Sequence, residues 1–261
     1  ERLLALHQEA EVARAKLESE LELAARIQAD LVPARLPCPP GYELGAHNRP
    51  ARRCGGDYYD VLPMDGAAGE GRLLFCVADV SGKGLPAALV MSNTQATLRA
   101  LLGRVESLPD LAAQASDLLH ATTAPEKYVT AALVALDPET GHGVFVGAGH
   151  VDTLVIRDDG SVTRLSSTGT PLGLVPSGLP FGEVPLRLAR GDTLVLFSDG
   201  VTDAQNAADE EFGEHRLVEL LRTSTGEPPP VLIGRIMAAI DAFAGGVPQF
   251  DDITLLVARR V

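Results

Sequence analysis

The order of hydrophobic patterns along the chain predicts an α+β fold, a mixed sandwich with helices outside antiparallel sheets and one long helix in front. Three observations carry this expectation. Residues 1–32 repeat apolar positions at alternating three- and four-residue steps, a helical period. From about residue 41 the pattern changes to short apolar runs bounded by turn residues, the signature of strands. The later helical stretches come as two adjacent pairs, so strands and helices do not alternate as a doubly wound parallel sheet requires.

Taken in order, the first helix places Leu3, Leu6, Ala10, Ala13, Leu17, Glu20, Ala24, Ile27 and Leu31 on one seam, and only Glu20 breaks its apolar character. Coiled-coil spacing of this kind, held over about four heptads, describes a rod roughly 48 Å long. So narrow a stripe needs a partner. Folding back onto its own domain would satisfy it, but the register favours a parallel homodimer. Pro33, Pro37, Pro39 and Pro40 then stop the helix and make residues 33–40 a stiff connector. Strands are expected at 73–80, 128–136, 144–147, 153–157, 193–198 and 253–258. Helices are expected at 86–102, 108–122, 214–221 and 230–243. Residues 41–261 thus read as one folded unit behind the rod and connector.

Composition narrows the function. A formal net charge of -13 argues against a nucleic-acid partner, because phosphate backbones are held by basic patches. Arg49, Arg52 and Arg53 are too few to make one. With 46% hydrophobic residues the chain has enough apolar material for a substantial core. Its three cysteines, Cys38, Cys54 and Cys76, are odd in number and lack C-x-x-C spacing, which fits a reducing cytoplasm better than a disulfide framework or a zinc site. No run of eighteen apolar residues suggests a membrane span. The chain opens at Glu1, so we expect it to be the downstream part of a longer protein.

Four acidic clusters remain: Gly55-Gly56-Asp57-Tyr58-Tyr59-Asp60, Ala78-Asp79-Val80-Ser81-Gly82-Lys83-Gly84, Phe197-Ser198-Asp199-Gly200 and Phe250-Asp251-Asp252-Ile253-Thr254. Three of them border apolar runs that read as buried strands. A carboxylate at a buried strand end is costly to desolvate unless a cation or donor meets it. Convergence of several would demand a hard divalent metal, since oxygen ligands suit Mg, Mn or Ca. Singly each cluster is weak. Asp199-Gly200 is an ordinary turn dipeptide, and Ser81-Gly82-Lys83-Gly84 lacks the spacing of an ATP-binding phosphate loop.

As a set they are specific. Ala25-Arg26-Ile27-Gln28-Ala29-Asp30-Leu31-Val32-Pro33 precedes the first two clusters. Gly147-Ala148-Gly149-His150 and Gly169-Thr170-Pro171-Leu172-Gly173-Leu174 follow, and then the last two. Across residues 24–258 this order closely resembles the SpoIIE/RsbU-type serine/threonine phosphatases, the bacterial branch of the metal-dependent type 2C (PPM) protein phosphatases. Departures are small: Cys54 stands where valine is expected, and Gly147 and Val151-Asp152 replace the more frequent Asn and proline-rich stretch. No carboxylate is lost.

The resemblance implies an αββα sandwich of two antiparallel sheets flanked by helix pairs, with two Mn or Mg ions in a cleft at one end. By position, Asp79 would bridge both ions beside the carbonyl of Val80. Asp199 and Asp251 would complete one site and Asp57 the other, while Asp252, the less favoured metal ligand of its pair, would orient its neighbour. The implied reaction is hydrolysis of phosphoserine or phosphothreonine by metal-activated water. The family's substrates are phosphorylated STAS-type antagonists of anti-sigma factors. An upstream sensor would act through the N-terminal helix, against a following helix rich in small residues (Ala87, Ala88, Ser92, Ala96). Three further residues are candidates for substrate contact. Arg52 or Arg53 is placed to fork onto the phosphate, and His150 invites a general-acid role although a structural turn is its better reading. The rival from another class is a dimeric signalling scaffold without catalysis; a cyclase-like nucleotide enzyme would need a phosphate-cradling loop that the chain lacks.

Overall fold

The computed structural model describes residues 2–64, 71–176 and 179–261. Ten strands form two antiparallel five-stranded sheets. The first has the order β1 (Tyr42–Arg49), β10 (Ile253–Arg260), β9 (Thr193–Phe197), β6 (Thr153–Ile156), β7 (Val162–Leu165). The second runs β2 (Tyr58–Met64), β3 (Arg72–Val80), β4 (Val129–Leu136), β5 (His142–Ala148), β8 (Val184–Arg187). Helices α2 (Leu85–Leu101) and α3 (Leu108–Thr122) cover the second sheet, and α4 (Gly213–Arg222) and α5 (Pro229–Ala244) the first. The architecture is αββα, as expected.

Strand alternation builds the three apolar layers. On β3, Phe75 and Val77 point between the sheets, whereas Leu74, Cys76, Ala78 and Val80 point toward α2 and α3. On β9, Leu194 and Leu196 face the middle layer while Val195 and Phe197 face α4 and α5. The same parity on β10 puts Leu256 and Ala258 between the sheets. Each sheet is therefore buried on both faces, which explains why its central strands read as continuous apolar runs rather than alternating ones.

Four strands were not individually located by sequence patterning: β1, β2, β7 and β8. Their sequences show why. Strand β1 is only half-buried over most of its length, and β7 is four residues long with three of them half-buried or exposed. Strands β2 and β8 carry Pro63 and Pro185, which lack the amide a central strand needs. Both lie at the two edges of the second sheet, the positions where proline is tolerated.

Helix α1 (Arg2–Leu31) matches the expected rod. Its last turns dock on the sandwich: Gln95 Nε2 on α2 donates to the carbonyl of Leu31 at 2.5 Å, and Arg53 pairs with Glu22 at 2.5 Å. Residues 7–17 lie in solvent, and of the expected seam Leu17 and Ile27 are exposed, while Ala24 and Leu31 are half-buried.

Candidate metal centre

The sandwich gathers the acidic clusters at one end. Asp57 directly precedes β2 and Asp79 is the penultimate residue of β3. Extending their register, in which Tyr58 faces Ala78, sets the two aspartates opposite each other. Asp199 opens a one-turn 3-10 helix after β9, and Asp251 and Asp252 immediately precede β10, the neighbour of β9. By alternation Asp57, Asp79, Ser198 and Asp252 all fall on the inter-sheet face, continuing the rows of Val61, Val77, Leu196 and Leu256. Asp60 falls on the other face. It accepts from Tyr58 Oη at 2.5 Å and pairs with Arg99 of α2 at 2.6 Å, so it fastens a helix and stands outside the cluster.

The electrostatics show that the gathered side chains feel one another. Burial, and then the charge of Asp79, hold Asp57 well above the ordinary carboxylate range. Asp79 is pushed up to about 7 by burial and by Asp199 and Asp251. Asp199 is raised to about 6 by burial, then by Asp203 and Asp251. Asp252 is also raised, chiefly by burial. Carboxylates that share low-dielectric space destabilise each other's charged form, and a multivalent cation relieves that strain directly.

Local hydrogen bonds fix each group. Asp252 Oδ1 accepts the Ala51 amide at 2.7 Å and Oδ2 the Gly56 amide at 2.6 Å, which locks the loop carrying Asp57. Gly55 is glycine because a Cβ there would lie 2.6 Å from Asp252 Oδ2, and a Cβ on Gly200 would collide with the carbonyl of Asp252. Ser198 Oγ donates to Asp57 Oδ2 at 2.6 Å and accepts the Thr254 amide at 2.9 Å. Asn48 Nδ2 in turn donates to Thr254 Oγ1 at 2.8 Å. Sequence reading assigned no role to Ser198, Asn48 or Asp203. For Ser198 the parity of β9 was the available signal.

Whether these residues suit a hard cation is tested by Asp57. Its Oδ1 is buried and, among the described residues, has no hydrogen-bond partner. A buried carboxyl oxygen without a partner is costly, and a cation bound there would satisfy it. The donor set is all oxygen, the chemistry that Mg and Mn prefer. Among the described residues, no three Asp, Glu, His or Cys side chains are closed into a ligand shell as they stand. The donors fit and are gathered, but the cage is open.

The remaining candidates separate. His150 is buried, with Nε2 2.9 Å from the Phe197 carbonyl and Nδ1 2.8 Å from Thr130 Oγ1. Burial drives its pKa down to about 4, so the ring is neutral, with its N–H donated to the carbonyl and Nδ1 accepting from threonine. It joins the two sheets and offers no free nitrogen to a substrate. Arg53 is held by Glu22 of the rod rather than facing a phosphate. Arg52 is exposed and lies beside Gly84 in the loop after Asp79. Cys54 is buried and its thiol pKa is raised by that burial, which makes it a poor thiolate.

An αββα sandwich with aspartates converging at one end of its sheets defines the type 2C class of protein phosphatases, a class that works with divalent cations. The family model described as Stage II sporulation protein E (SpoIIE) matches residues 69–261. The chain therefore belongs to the SpoIIE family, in the company of the RsbU-type phosphatases. It is 28% identical to Protein IcfG of Synechocystis over 92% of its own length and 41% of that protein. It is 26% identical to the phosphoserine phosphatase RsbU of Bacillus subtilis, over 97% of the chain and 74% of the relative. Thus it spans about two fifths of one of these relatives and three quarters of the other. Among solved structures, the PP2C domain of SiaA from Pseudomonas aeruginosa superposes with a TM-score of 0.81 at 24% identity, covering 95% of this chain and 98% of that one. The RsbU and RsbW domains of Rv1364c from Mycobacterium tuberculosis give 0.72 at 25% identity, covering 88% and 63%.

Proposed function

We propose that the chain hydrolyses phosphoserine or phosphothreonine on a protein substrate, using two Mn or Mg ions held by Asp57, Asp79, the Val80 carbonyl, Asp199 and Asp251. The observation that carries this reading is the convergence of these carboxylates on one end of the sandwich, with Asp57 Oδ1 buried and, among the described residues, unpartnered. Cations bound there would acidify a water for attack on phosphorus and neutralise the phosphoryl oxygens. The protein's own part is to hold the ligands still. Ser198 orients Asp57, and Asp252 acts through its two amide contacts by fixing the loop around Gly56. Arg52, exposed beside Gly84 in the Asp79 loop, would meet the substrate phosphate.

A STAS-type phosphoprotein is the substrate class we favour. It is supported by the likeness to RsbU and by the fold shared with an RsbU–RsbW protein and a stressosome component. We further propose that residues 1–32 form a regulatory rod and dimerise. Gln28 supports the regulatory half of this reading: its Oε1 accepts the Gly55 amide at 3.1 Å and its Nε2 donates to the Gly55 carbonyl at 2.6 Å, two residues before Asp57. Metal-titrated dephosphorylation of candidate phospho-STAS proteins tests the proposal. Activity that depends on Mn and is lost in Asp79→Ala and Asp199→Ala supports it; equal turnover in either variant refutes the site.

A further inference from the structure

One salt bridge at the open cage has no part in the function proposed above. Lys83, in the loop between β3 and α2, reaches across from the second sheet to the first. Its Nζ lies 2.9 Å from Asp251 Oδ2, donates to the Phe250 carbonyl at 2.6 Å and sits 3.5 Å above the centre of the Phe250 ring. The loop that carries it is pinned from the other side, where Lys127 Nζ donates to the Ser81 carbonyl at 2.8 Å. The Lys83 and Asp251 side chains are only 23% and 27% exposed, so water screens the pair incompletely. Asp251 Oδ1 is also engaged, accepting the Asp252 amide at 2.9 Å. Both oxygens of one proposed ligand therefore already have partners, and one partner is a cation.

We propose that Lys83 is a built-in counter-ion that competes with a divalent cation for Asp251, so that loading of the cage requires the ammonium to leave its seat on Asp251 and Phe250. The inference rests on Asp251 being a metal ligand. The physical ground is simple: a carboxylate oxygen within 3 Å of an ammonium cannot approach a divalent cation without bringing two positive charges close together. Phe250, 62% exposed, contributes its ring face as the second half of the seat, an arrangement that favours a cation over a neutral group. The device sets a threshold for metal occupancy without removing any ligand.

Isothermal titration of Mn2+ into chelator-stripped protein tests this on the wild type, Lys83→Met and Phe250→Ala. Lys83→Met keeps an apolar stem and removes the charge, and we expect it to bind Mn2+ about tenfold more tightly. Phe250→Ala weakens the seat without touching charge, and should tighten binding about two- to fivefold. In chelator, the Tm of Lys83→Met should fall below that of the wild type because the tie between sheets is lost. Unchanged or weaker Mn2+ binding in both variants would overturn the proposal and leave Lys83 as a residue that positions Asp251. Should Lys83→Met fail to fold, Phe250→Ala alone decides between these outcomes. No Mn2+ binding by any of the three proteins would overturn the metal-site reading itself along with this inference.

Discussion

Ser198 is the residue on which the account is easiest to test. It is fully buried and donates a hydrogen bond to Asp57 Oδ2. Replacing it by alanine leaves Asp57 Oδ2 without its donor, and we expect Mn2+ affinity and turnover to fall about 10–100-fold with the fold intact. Far-ultraviolet circular dichroism and a manganese titration of the rate would check both halves. His150 makes the opposite case. With both nitrogens engaged between the sheets, His150→Ala should cost about 1–3 kcal/mol of stability, measured by denaturant unfolding, while the folded fraction keeps its turnover. The sequence made the aspartates legible because their motifs recur in a fixed order. It hid Ser198, since a serine beside an aspartate in a turn has no distinctive spacing; only the parity of β9 shows where its hydroxyl points. The ion pair of Arg53 was hidden for a related reason: its partner Glu22 is 31 residues upstream on a helix whose docking no local pattern announces.

At the scale of elements, the helices and the central strands were readable from periodicity. The expected helix 108–122 coincides with Leu108–Thr122, capped by Ser107, whose Oγ accepts the Asp110 amide. Edge strands were not individually readable, because half-exposed or proline-bearing segments lose the hydrophobic pattern that marks a strand. The element with most consequence for the proposed regulation is α1. Its C-terminal turns grip Gly55 through Gln28 and α2 through Leu31, and both grips adjoin the Asp57 loop. Gln28→Ala, which removes only the first grip, is expected to change the Mn2+ concentration giving half-maximal activity, and deletion of residues 1–32 to change it further. Identical metal dependence in all three proteins would detach the rod from catalysis. The same deletion tests the homodimer. Sedimentation should show a dimer only when the rod is present, burying the exposed Leu17 and Ile27.

For the whole molecule, the clustered carboxylates are expected to make stability depend on both pH and metal. Asp79 has an ordinary value of 3.8 and a folded value of about 7, so its raised proton affinity favours the folded state at low pH. That contribution is lost as pH rises from 3.8 through about 7, and Asp199, raised to about 6, acts in the same direction. His150 acts oppositely: lowered from 6.5 to about 4, it withdraws stability as pH falls through that window. In chelator, raising the pH toward 8 should therefore lower Tm through the carboxylates, and saturating Mn2+ should restore it, because a ligand that binds only the folded state stabilises by mass action. We propose that Asp57, Asp79, Asp199 and Asp251, brought from four separate stretches of chain, hold the cations together. Anomalous diffraction from Mn2+-loaded crystals tests it most directly. Manganese peaks are expected between these four side chains, with Asp57 Oδ1 facing one of them; peaks elsewhere on the surface, or none at this end of the sandwich, would rule the proposed site out.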